Sequence, residues 1–233
     1  MTRRVVGVLG GMGPEATILL QQRVLRKIKA RDDADHLPLL IDMNPQVPSR
    51  IAHLIEGRGE NPGPVLATMA RRLQTAGATA LAMPCNTAHH YAPFITGAAS
   101  VPFLDMVSLS VEAARDSLPK KAKVGILASP AVMLAGVFDA PLQGVGLSAL
   151  WPEDSGRMLT AIKMVKAQGP TPQALIILAD AAAELTRNGA GLLLVACSEF
   201  SLMTQDLTMD VPVIDTVDLL AAAIRDHTTN KMS

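Results

Sequence analysis

The chain repeats itself, and this restricts its fold more than any other feature. VPFLDMVSLSVEAA at 101–114 matches VPVIDTVDLLAAAI at 211–224, and the opening RRVVGVLGG resembles KAKVGILAS at 121–129. Gly77-Ala78-Thr79 likewise parallels Gly189-Ala190-Gly191. Matched segments in one order describe two related units rather than a shared composition. Short β-branched runs at 5–9, 37–43, 80–83, 101–104, 123–127, 146–151, 192–196 and 211–214 read as strands. Ala- and Leu-rich stretches of helical period lie between them, notably at 14–29, 64–76, 107–117, 171–188 and 216–227. This alternation predicts an α/β fold of two pseudo-symmetric parallel-sheet domains, with crossover helices on both faces. The expected domains are 1–104 and 105–215, joined near 104–122 and again near 210–216.

Composition narrows the function classes. With 233 residues and 49% hydrophobic content, the chain can bury a substantial core, as one large domain or two small ones. Its 21 basic and 21 acidic residues cancel, and no basic stripe stands out. A nucleic-acid partner or a membrane-surface role, in which positive charge supplies the affinity, is therefore not expected. No stretch approaches a transmembrane length without Gly, Pro or charge. Thr2, Arg3 and Arg4 lead into a short run broken by glycines, so no export leader is expected. A reducing cytoplasm, where the two cysteines stay free thiols, is the expected location.

Those two cysteines fall in register with the repeat. AMPCNTAHH at 82–90 and LLLVACSEFS at 192–201 each place a cysteine where an apolar strand gives way to polar residues. In open parallel sheets ligands bind beyond the carboxyl ends of the strands. If the domains face each other about a pseudo-twofold axis, Cys85 and Cys197 approach one ligand in the cleft from opposite sides. One thiolate then removes a proton from a carbon and the other thiol returns one to the opposite face, with no metal or cofactor required. A strand-to-helix turn is expected to favour the thiolate through its backbone N–H groups. Asn86, Thr87 and Ser198 add hydrogen-bonding side chains beside the sulfurs. The competing readings are two small core residues or a structural disulfide.

GVLGGMGPEAT at 7–17 follows the first strand and opens a helix with Pro14 at a favourable position. Gly11-x-Gly13-x-x-Ala16 fits a dinucleotide fingerprint formally. However, Glu15 suits a pyrophosphate poorly, and an acid some 20 residues later would fall in the loop Asp32–Asp35, before the second strand rather than at its end. A small anion such as a carboxylate suits this helix start better, and a plain tight turn is the alternative.

GGMGPEAT, NPQVPSR, MPCNTAH, ACSEF and VPVIDT together, in this order, resemble the PLP-independent aspartate/glutamate racemase superfamily, most closely its aspartate racemase branch. The resemblance runs nearly end to end. It implies two pseudo-symmetric α/β domains with the site in the cleft, the last helix (216–230) packing back on the first domain, and a homodimer. It also implies catalysis by Cys85 and Cys197 on a small amino acid or dicarboxylate, with no cofactor and no metal. Arg50 would bind a carboxylate, as would Lys166, with Lys163 the alternative. Met12, Asn86, Thr87, Ser129 and Ser198 would line the substrate. A guanidinium suits the Arg50 role because it grips a carboxylate with two parallel hydrogen bonds.

The chain departs from the aspartate racemase pattern at three points. Val132 replaces a hydroxyl in Ala128-Ser129-Pro130-Ala131-Val132, Ser49 stands where Asp is usual, and Cys-Ser-Glu replaces Cys-Thr-Glu. These changes leave the thiol chemistry intact and open the substrate to a broader or non-aspartate amino acid. Maleate isomerisation, hydantoin racemisation and simple dicarboxylate binding remain alternatives on the same scaffold. His89 and His90 complete no zinc-like set and read as turn or cleft-wall residues. Glu199 reads either as an influence on Cys197 or as a helix-start carboxylate. Trp151 reads as core or domain-edge packing, and RDDAD at 31–35 as a solvated helix end.

Overall fold

A computed structural model describes residues 4–229. Residues 1–3, on which part of the leader reading rests, and residue 230 of the expected last helix lie outside the described residues. The chain divides into two compact units: one runs to Met106 and resumes at Val217, and the other is Val107–Thr216.

In the first unit, β1 (Val6–Gly10), α1 (Pro14–Arg26), β2 (Leu39–Met43), α2 (Arg50–Leu54), α3 (Gly63–Thr75) and β3 (Ala80–Ala82) follow in order. A 3-10 turn (Thr87–Tyr91), α4 (Ala92–Thr96) and β4 (Phe103–Leu104) complete the sheet region. All pairings are parallel, in the order β2-β1-β3-β4. Helix α5 (Met106–Ser117) then opens the second unit, which contains β5 (Lys123–Leu127), α6 (Pro130–Leu134), α7 (Asp139–Gly144) and β6 (Ser148–Leu150). It continues through α8 (Ser155–Gln168), α9 (Pro172–Arg187), β7 (Ala190–Val195), α10 (Ser198–Ser201) and β8 (Val213–Asp215). Its sheet order, β6-β5-β7-β8, is the same permutation and again parallel. Helix α11 (Thr216–Thr229) returns to the first unit. There Arg23 of α1 grips Asp218 with two hydrogen bonds, and Thr79 lies 3.0 Å from His227.

The repeat extends to packing. A Cβ on Gly7 would lie 2.9 Å from Ala78 Cβ and 3.0 Å from Leu73 Cβ. A Cβ on Gly125 would lie 3.1 Å from both Ala190 Cβ and Leu185 Cβ. The missing side chain in the first strand of each unit therefore lets α3 and α9 settle onto their sheets. The central strands β1, β3, β5 and β7 are largely buried on both faces, as parallel strands covered by helices must be, while the edge strands are partly exposed. One core forms around Leu66, Met69, Leu81 and Ile95; a second around Ile162, Leu178 and Leu193. A third, around Ile126, Phe138 and Leu194, takes Trp151 at its edge.

Differences from the sequence expectation lie at element ends. The edge strands are shorter than expected, because β4 and β6 stop where their single neighbours stop pairing. Helix α1 ends at Arg26, so RDDAD is not its end. Asp33–Asp35 is a separate 3-10 turn held by a reciprocal Asp32–Asp35 capping box. Helix α8 was not among the strongest helical patterns, yet it is fourteen residues long, capped by Asp154, and buries Met158, Ala161, Ile162 and Val165. Among the described residues, no helix is long and apolar enough to cross a membrane.

Candidate active site

Each cysteine sits just past the carboxyl end of a central strand, and in each turn the side chain four residues on lies beside the cysteine's carbonyl oxygen. In the first unit, the Cys85 carbonyl oxygen accepts from Ala88 N–H at 3.1 Å and from His89 Nδ1 at 2.9 Å. The other ring nitrogen, Nε2, receives Met106 N–H at 3.1 Å. A carbonyl only accepts and a backbone N–H only donates, so the proton sits on Nδ1 and the ring is neutral. Burial pushes the His89 pKa down, outweighing the Asp105 charge that pulls it up. His89 and His90 both lie on the 3-10 turn, in line with the turn reading; His89 is in addition buried and bridges the thiol turn to the start of α5.

The second unit places Ser201 at the same offset of four from its cysteine. Ser201 Oγ lies 3.3 Å from the Cys197 carbonyl oxygen and 2.8 Å from Asp215 Oδ1, and its proton goes to the carboxylate. Thr204 donates to the other Asp215 oxygen at 2.9 Å. Asp215 is buried at the end of β8, as Asp105 follows β4 in the matching segment. Thus the residue four after each cysteine reaches the exit of the last strand in its sheet.

Electrostatically the thiol turns differ. Cys197 Sγ donates to Glu199 Oε2 at 3.0 Å, and Ser198 Oγ donates to the same oxygen at 3.2 Å. Lys166 Nζ lies 3.3 Å from Glu199 Oε1. Burial first, then the Glu199 charge and hydrogen bond, push the Cys197 thiol well above its ordinary pKa, and Lys166 offsets only part of this. The expectation that the helix start favours the thiolate is thereby corrected at Cys197. Helix α10 has only four residues, too short a dipole to outweigh a carboxylate in contact. The position matching Glu199 in the first unit is Thr87, which carries no charge.

The remaining expected residues divide between the units. Ser198, Lys166 and Glu199 form one connected group with Cys197, and Ser129 is the buried residue before α6, beyond β5. Met12 is buried in the glycine loop. At Gly11 in that loop φ is +90°, and a Cβ would lie 2.3 Å from the Asn44 carbonyl carbon. Only glycine lets β1's exit press so closely on the chain leading to Arg50. Asn86 is buried and Thr87 half-buried beside Cys85. Arg50 opens α2, where Nη1 donates to the carbonyls of Val47 (3.3 Å) and Pro48 (2.9 Å). Its Nε and Nη2 have no protein acceptor among the described residues. Ser49 Oγ is occupied in capping α2, accepting from Ala52 N–H, and Val132 is buried in a core.

Among the described residues, no cluster of three or more His, Cys, Asp or Glu side chains could hold a metal ion. Sequence reasoning missed Asp215, whose signal was the aspartate shared by VPFLD and VPVID, and the pair His53–Tyr91, which carried no signal.

The family model for Asp/Glu/hydantoin racemases matches residues 9–224. The chain belongs to the Asp/Glu/hydantoin racemase family. Racemases of this family are isomerases. RacX, a broad specificity amino-acid racemase of Bacillus subtilis (strain 168), is 24% identical over 226 residues, spanning 93% of this chain and 95% of its own. Among solved structures, the aspartate racemase of Picrophilus torridus is 27% identical with a TM-score of 0.86, covering 99% of this chain and 96% of that one. An aspartate racemase homologue from Pyrococcus horikoshii OT3, 18% identical, shares the fold with a TM-score of 0.75 over 98% of this chain and 100% of its own.

Proposed function

We propose that this family member is an amino acid racemase in which Cys85 and Cys197 pass the α-proton. One observation carries the reading: the two thiols follow equivalent strands of two identically ordered sheets, each with the side chain four residues on beside its carbonyl oxygen. Cys197, held as a thiol by burial and Glu199, enters as the acid; Cys85 then removes the proton in the same direction of turnover. In the reverse direction the roles exchange, and Lys166 limits the repulsion between a Cys197 thiolate and Glu199. The free edge of Arg50 grips a substrate carboxylate and offsets the negative charge that builds there as the proton leaves. Both proton transfers are made by side chains, so the reaction calls on no cofactor.

Lys166 already has a carboxylate partner in Glu199, so Arg50 takes one substrate carboxylate, and the reading covers aspartate or a related acidic or small amino acid. The test is incubation in D2O with single L-amino acids, aspartate and glutamate included, following the α-proton by NMR and the D-isomer by chiral chromatography. Exchange with D-isomer formation is expected, falling by about 10²–10⁴-fold in Cys85→Ser and in Cys197→Ser. Full activity in either variant would sink the two-thiol mechanism.

A further inference from the structure

Helix α2 is five residues long and buries none of them, so packing alone does not fix it. Ser49 caps it and Leu54 leans on the first-unit core. Among the described residues, one long-range side-chain hydrogen bond leaves it: His53 Nδ1 lies 2.7 Å from Tyr91 Oη, with the rings 5.7 Å apart and tilted by 53°. Tyr91 is anchored, being buried in the same core as Met12 and Val47. It ends the 3-10 turn that begins two residues after Cys85. The bond therefore joins the last turn of α2, three residues from Arg50, to the turn that carries the thiol. Burial raises the Tyr91 pKa against the pull of the Arg50 charge, so the phenol keeps its proton, and the direction of the bond follows the His53 tautomer.

We propose that His53 and Tyr91 form a latch that sets the Arg50 guanidinium relative to Cys85, making both of them positioning residues for carboxylate binding. The proposal rests on the roles given above to Arg50 and Cys85. Without the latch, Arg50 retains its charge and its two carbonyl contacts, but α2 is free to shift against the thiol turn. Carboxylate binding weakens, and the effect follows the hydrogen bond rather than the ring.

The experiment measures protection of Cys85 from iodoacetamide, read by mass spectrometry, with succinate, L-aspartate and L-alanine as probes. The quantity compared is the concentration of the best probe that halves the labelling rate. Arg50→Gln sets the floor. Tyr91→Phe, which keeps the ring in the core, and His53→Leu are expected to raise that concentration about five-fold, the loss of one hydrogen bond. His53→Asn, whose amide oxygen falls near the place of Nδ1, is expected to restore it to within about two-fold. If no probe protects the native protein, or Arg50→Gln is protected equally well, the Arg50 reading falls and the latch with it. If Arg50→Gln loses protection while Tyr91→Phe and His53→Leu keep it, the latch alone is overturned. Failure of His53→Asn to restore protection overturns it as well.

Discussion

Cys197 donates its thiol hydrogen to Glu199, with Sγ 3.0 Å from Oε2. The carboxylate accepts from the thiol and repels the thiolate, so both effects keep the proton on sulfur. Glu199→Gln removes the charge and should lower the midpoint of Cys197 alkylation by about one pH unit, which speeds iodoacetamide labelling at pH 8 by up to about ten-fold. An unmoved midpoint would mean that burial alone sets the thiol.

Lys166→Met should act in the opposite direction. Its ammonium pulls the Cys197 pKa down, as does the Glu199 backbone hydrogen bond that the variant keeps, so its loss slows labelling of that cysteine. The lysine side chain is 45% exposed, and solvent screening holds the effect to about two- to three-fold. Faster labelling would contradict the charge assignment.

His89→Leu leaves the Cys85 carbonyl short of a donor and Met106 N–H without its ring acceptor. The expected cost is about 2–4 kcal/mol in urea unfolding. The pH dependence has a definite sign. The native His89 pKa lies below the ordinary 6.5, so its contribution to stability is complete above about 6.5 and is lost as pH falls through the native value. Native protein should show that loss between neutral and mildly acid pH, and the leucine variant should lack this component of it.

Asp215→Ala removes the buried carboxylate that accepts from Ser201 and the half-buried Thr204, leaving their hydroxyls only the longer contacts to the Cys197 and Phe200 carbonyls. A loss of about 2–4 kcal/mol is expected from thermal or urea unfolding. Asp215→Asn keeps an acceptor and should cost clearly less. Equal losses in the two variants would mean that volume, not hydrogen bonding, holds the turn.

The alternation of strand and helix could be read from the sequence because it is written locally, and the repeat wrote it twice. Strand ends were less legible: β4 is cut to Phe103–Leu104 by its pairing with β3, a property of the partner. Helix α8 hid behind Asp154-Ser155-Gly156, which has turn chemistry, although its buried Met158, Ala161, Ile162 and Val165 keep helical spacing. At the thiol turns, the cysteines and their polar neighbours stood out as residue types in register. The tether of His89 did not, because its partner Met106 lies seventeen residues away and is recognised only once the turn has folded. The protonation preference of Cys197 was misread for a related reason. Spacing indicates that a helix starts there, but not that the helix stops after four residues with Glu199 against the sulfur.

The first unit is interrupted by the whole of the second: its chain leaves at Met106 and resumes at Val217. Val217, Leu220, Ala221 and Ile224 of the returning helix are fully buried. On the ribosome, a nascent chain that has finished its first sheet still lacks this helix and cannot acquire it until the inserted unit has been synthesised. Maturation of the Cys85 half therefore waits until the inserted unit and the returning helix have been made, although its thiol is among the residues made before them.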